Sequence, residues 1–115
     1  MNTVESLLNY YLEHSTSEIT PLALPRNEVV CLHKTTKCIL VQESDFEFIK
    51  DQIPPDFLCA ISPLSLSDLK RGPFVDTLDF FNYLPSKEDK IKFLERFKGS
   101  SEEIMFMMEN LDHGQ

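Results

Sequence analysis

Apolar residues at Val4, Leu7, Leu8, Tyr11 and Leu12 recur at i, i+3, i+4, i+7 and i+8, the stripe of an amphipathic helix. Asn2 and Glu5 stand at capping-box spacing, so this helix is expected to begin with the first residues. It should end near His14–Thr16, where polar and β-branched residues replace the stripe. Residues 20–27, TPLALPRN, contain Pro21 and Pro25 and follow no period, which predicts a connector. From Glu28 the chain becomes dense in Val, Ile, Leu and Cys on either side of the polar tetrad Lys34–Lys37. That pattern predicts two strands, 28–33 and 38–43, paired across a four-residue loop.

Ser44 and Glu47 then form a capping-box pair for a short helix whose inner face is Phe46, Ile49 and Ile53, stopped by Pro54 and Pro55. Residues 57–62, FLCAIS, have the length of a third strand, and the helix before them permits a crossover beside the hairpin. Ser65 and Asp68 frame a helical turn that Gly72-Pro73 ends. Asp76/Asp79, Ser86/Asp89 and Ser100/Glu103 open three more helical segments, the second closed by Gly99 as the residue after its cap. The order is α-ββ-α-β followed by three helices. This predicts an α+β fold: one domain over residues 1–115, its helices packed on one face of a small sheet, with 63–73 as the candidate hinge.

Composition and charge narrow the classes of function. The 115 residues are 42% hydrophobic and include nine Phe, enough apolar surface for a core without staples. With 11 Lys+Arg against 19 Asp+Glu the net charge is −8, so the basic surplus needed to neutralise phosphates is absent and direct nucleic-acid binding is not expected. The same charge disfavours an anionic membrane surface. No apolar run approaches the ~20 residues of a membrane span. No basic stretch precedes the first apolar segment as a secretory signal requires. Three cysteines are an odd number and too few for a disulfide scaffold, so reduced thiols in a cytoplasm are the expected state.

The hairpin offers the main candidate chemistry. With 34–37 as its loop, His33 stands opposite Cys38 and Cys31 opposite Leu40, which places Cys31, His33, Cys38 and Leu40 on one face. Cys59 on the third strand would complete a Cys₃His set for tetrahedral zinc. Against this, no C-x₂-C knuckle occurs, and buried cysteines commonly serve as small hydrophobes. The His33–Cys38 pair also begins a cysteine nucleophile and its base, but no Asn or Asp can be assigned to orient the histidine. No cofactor is expected, since Gly72, Gly99 and Gly114 build no phosphate loop and neither G-x-S-x-G nor H-E-x-x-H occurs. The pairs Glu88-Asp89 and Glu102-Glu103 fall in first helical turns, where they complement the helix dipole.

Two surfaces remain. Glu43, Asp45, Glu47 and Asp51 cluster around one short helix with Asp56 just beyond, an arrangement suited to a basic partner surface. Residues 104–108, IMFMM, are apolar around a full turn, so that turn is either buried or covers a partner. The leading expectation is a small acidic protein-binding module of inhibitor, immunity-protein or adaptor type, without catalysis of its own. Its contacts would be the acidic residues together with Phe106, Met107 and Met108, and a homodimer is one way to cover the last helix. A zinc domain using Cys31, His33, Cys38 and Cys59 is the alternative, and a small cysteine-dependent enzyme the third reading.

Overall fold

The computed structural model describes residues 3–71, Phe74 and residues 76–111. The first helix, α1 (Thr3–His14), buries Val4 and Leu8 from its apolar stripe. Asn2, read as its cap, lies outside the described residues. Four strands follow: β1 (Ile19–Ala23), β2 (Val29–His33), β3 (Cys38–Gln42) and β4 (Leu58–Ser62), in the spatial order β1-β2-β3-β4. The first three are antiparallel, and β4 runs parallel to β3 after a crossover through α2 (Glu43–Ile49) and a 3₁₀ turn at Lys50–Gln52. Then come α3 (Leu66–Arg71), α4 (Thr77–Asn82), α5 (Lys87–Arg96) and α6 (Ser101–Glu109). The class is α+β, and the hairpin register pairs His33 with Cys38 and Cys31 with Leu40 as the pattern predicts.

The expected connector at 20–27 is instead a strand and a tight turn. Lys34 N–H donates to the Glu18 carbonyl at 2.8 Å and Leu24 N–H to the Glu28 carbonyl at 2.7 Å. Antiparallel alternation then puts the ladder bonds of β1 at its even-numbered residues. Pro21, opposite Cys31, falls at an odd position whose nitrogen points away from β2, and β1 is an edge strand. A proline is tolerated there because no ladder donor is lost. Pro25 is the second residue of the turn Leu24–Asn27, closed by Asn27 N–H on the Leu24 carbonyl at 2.9 Å, and Asn27 takes the left-handed conformation at φ 71.

Helices cover both faces of the sheet rather than one. Toward α1 and α2 the strands present Leu22, Val30, Leu32, Ile39 and Val41, which pack with Val4, Leu8 and Ile49. Toward α3–α6 they present Val29, Cys31, Cys38, Leu40, Leu58 and Ala60, packed with Leu69, Phe80, Phe81, Phe93 and Met107. All five residues of β2 are buried, the burial pattern of a strand with no solvent face. Residues 63–73, read as a hinge, contain α3, whose Leu69 is fully buried in this second core. Gly72 and Pro73 lie outside the described residues.

Three of the expected caps form as read: Asp76 accepts from Asp79 N–H, Ser86 from Asp89 N–H, and Ser100 makes a full capping box with Glu103. At Ser65 the hydroxyl also accepts from Asp68 N–H, at 3.2 Å. Ser44 does not cap α2. That helix starts two residues earlier than a Ser44 cap implies, directly from β3, with Gln42 at the cap position and no side-chain bond. Gly99 is not the residue after the α5 cap, because α5 ends at Arg96 with an extended Phe97. A β-carbon at Gly99 would meet the far edge of the half-buried Phe97 ring, which would have to turn aside to admit it.

Candidate functional site

His33, at the end of β2, is completely buried between the rings of Phe80 and Phe93, with centroids at 5.3 and 4.9 Å. Its Nδ1 lies 2.8 Å from Thr36 Oγ1 and faces the Thr36 backbone N–H at 3.4 Å, so Nδ1 is the acceptor and the proton sits on Nε2. Nε2 points to Thr77 Oγ1 at 3.1 Å and to the Glu18 carboxylate at 3.4 Å. Glu18 also accepts from Thr35 N–H at 3.0 Å. Burial pushes the histidine down from 6.5 to about 4, against the opposing pull of Glu18, so it is neutral at pH 7. Both ring nitrogens are committed to this network. Thr77 lies 44 residues from His33 along the chain, and nothing in the local pattern links them.

Cys31 and Cys38 share the His33 face, but Cys59 does not. It stands opposite Ile39 in the parallel register and packs with the α1–α2 core, whereas Cys38 belongs to the α3–α6 core. The expected fourth zinc ligand is therefore on the wrong side of the sheet, a consequence of period-2 alternation applied to the true β3–β4 register. Among the described residues no three His, Cys, Asp or Glu side chains gather into a metal-ligand group. The thiols are free. Burial pushes Cys31 and Cys59 up to about 12 and raises Cys38 as well, the reverse of what a thiolate nucleophile needs.

The acidic residues around α2 are partly neutralised. Glu43, Glu47 and Asp51 are exposed and Asp45 is half-buried. Glu47 pairs with Lys50 at 3.1 Å, and Asp56 pairs with Lys37 at 2.9 Å, which holds the Asp56 carboxyl below its ordinary range. Partial burial, with the nearby Glu28, raises Asp45. Arg26 lies over the exposed ring of Phe48, 5.8 Å from its centroid.

The last helix divides its apolar turn between two environments. Met107 is 1% exposed and belongs to the core, which corrects its reading as a contact residue. Met105, Phe106 and Met108 are 62%, 53% and 56% exposed, so Met105 joins Phe106 and Met108 on the solvent side of the turn. A helical turn that is apolar all round and buried by one face only must show the rest to solvent. Each side of this crest is hollowed. Phe106 borders a cleft of about 270 Å³ that also includes Asp76, Thr77, Leu78 and Glu103. Met108, with Ile104 and Leu111, faces Ile91, Leu94 and Glu95 across an apolar groove of about 300 Å³ between α6 and α5.

No helix among the described residues is long and apolar enough to cross a membrane. Comparison with protein-family models, with curated proteins and with solved structures returns no match for this chain.

Proposed function

We propose that this chain is a protein-binding module that docks its partner on the exposed side of α6. The observation that carries the reading is the set Met105, Phe106 and Met108, three large apolar side chains each more than half exposed on one helix beside two hollows. Contiguous apolar surface of this kind, built from flexible methionines and an aromatic ring, is characteristic of interaction sites. The acidic α2 region acts secondarily, through long-range attraction of a partner rather than through tight contact, because Glu47 and Asp56 are already paired. The roles in view are those of an inhibitor or adaptor without catalysis. Three unpaired cysteines suit a reducing, cytoplasmic setting.

The zinc and cysteine-enzyme readings have weaker support. Cys59 is across the sheet from Cys31 and Cys38, and the buried thiols are held protonated. The test is quantitative capture from the native cell with three baits: the unaltered chain, a Met105→Lys/Met108→Lys chain, and a Glu43→Lys/Glu47→Lys/Asp51→Lys chain. Proteins held by the unaltered chain should be lost from the α6 variant and only weakened on the α2 variant. Retention on the α6 variant with loss on the α2 variant would move the docking face to the acidic helix.

A further inference from the structure

The groove between α5 and α6 has a shape and a charge that select among occupants. Its α6 wall is Ile104, Met108 and Leu111, spaced i, i+4 and i+7, which covers roughly 10 Å at the helical rise. Its α5 wall is Ile91 and Leu94, spaced i and i+3. A short apolar trough between two helices is complementary to a third helix bearing its own i, i+3/i+4, i+7 anchors. Charge then decides the flanks of that helix. α6 carries exposed Glu102 and Glu109 and no Lys or Arg, and Glu95 stands in the groove wall, while Glu103 lies on the other side of α6 in the cleft with Asp76. On α5, Lys92 is engaged by Glu88 at 3.1 Å, and Lys87 and Lys98 stand near its two ends. A second copy laid along α6 would set glutamates against glutamates, in a chain of net charge −8, which disfavours self-pairing at this face.

We infer that the α5–α6 groove takes a short amphipathic helix of a partner, its apolar stripe seated on Met108 and Ile91 and its flanks carrying Lys or Arg. This rests on the reading of α6 as a docking face and adds the chemistry of what docks. The apolar stripe supplies affinity by displacing water from the groove, and the basic flanks supply orientation and speed of encounter.

The test is fluorescence anisotropy of a labelled synthetic Leu/Lys amphipathic helix of about four turns, and of its Leu/Glu counterpart, titrated with the full chain. The Leu/Lys helix should bind at least about tenfold tighter than the Leu/Glu helix, and its affinity should fall as salt rises. Met108→Gln and Ile91→Gln should each weaken it about fivefold or more, since each removes apolar contact from the groove. Glu95→Lys/Glu109→Lys should weaken it while reducing the salt dependence. Equal binding of the two helices, binding indifferent to both groove substitutions, or a dimer of the chain that Met108→Gln dissolves would each overturn the inference. If the Leu/Lys helix does not bind but the Met105→Lys/Met108→Lys chain still loses its captured proteins, the partner chemistry fails and the docking face stands. If capture is also unaffected, both fail.

Discussion

His33 Nε2 lies 3.1 Å from Thr77 Oγ1, a contact that joins the last residue of β2 to the first residue of α4. With Glu18 at 3.4 Å and Thr36 on the other ring nitrogen, the imidazole ties the start of β1, the hairpin loop and a C-terminal helix at one buried point. The network satisfies a polar ring in an aromatic surround, where an unpaired nitrogen would be costly.

The same burial makes stability depend on pH. His33 is held near 4 in the fold and titrates at 6.5 when the chain is unfolded, so below 6.5 the unfolded state takes up the proton first. The contribution of His33 is fully present above 6.5, declines as pH falls toward 4, and changes no further below. At ~1.4 kcal/mol per pH unit the loss is about 3 kcal/mol. Urea unfolding at pH 7 and at pH 4, compared between the unaltered chain and His33→Gln, should show the extra loss only in the unaltered chain. Parallel pH profiles for the two would contradict it.

Alkylation should distinguish folded from unfolded thiols. With Cys31 and Cys59 up at about 12, the thiolate fraction at pH 7.5 is below roughly one in ten thousand. Iodoacetamide should therefore label all three cysteines slowly in the native protein and rapidly in denaturant. One cysteine that reacts at the native rate of an activated thiol would revive the enzyme reading.

Neighbouring methionines on α6 should behave as opposites. Met107→Ala removes a fully buried side chain from the α3–α6 core and should cost about 2–5 kcal/mol. Met108→Ala, one residue on, is expected to change stability by less than about 0.5 kcal/mol. Chemical denaturation of the two variants checks the assignment of faces.

Asn27 tests the turn that the proline pattern concealed. At φ 71 an alanine has no side-chain amide to ease the left-handed conformation, and Asn27→Ala should cost about 1 kcal/mol, with Asn27→Gly nearly neutral. Equal stability of the alanine and glycine variants would contradict the turn geometry.

What the sequence disclosed followed from how local each signal was. The β2–β3 register and the caps at Asp76, Ser86 and Ser100 rest on residues close together in the chain, and the structure has them as the pattern predicts. Strand β1 was hidden because Pro21 resembles a breaker until its edge position and outward nitrogen are known. The zinc set puts Cys59 on the wrong face because alternation fixes faces only within one strand, and the offset between β3 and β4 is set by tertiary packing. Coverage of both sheet faces had a visible sign, the unbroken apolar run through β2, which half-buried strands do not show. Glu18 and Thr77 had none, since their relation to His33 exists only after the chain has folded.

The measurement that bears most directly on the α6 face pairs unfolding with capture in a single variant, Met105→Lys/Met108→Lys. If these side chains serve a partner, the variant keeps its unfolding free energy within about 0.5 kcal/mol of the unaltered chain, and the proteins captured by the unaltered chain are absent from it. A variant that loses about 2 kcal/mol or more and still holds those proteins would show that the methionines serve the fold, and that the docking face lies elsewhere.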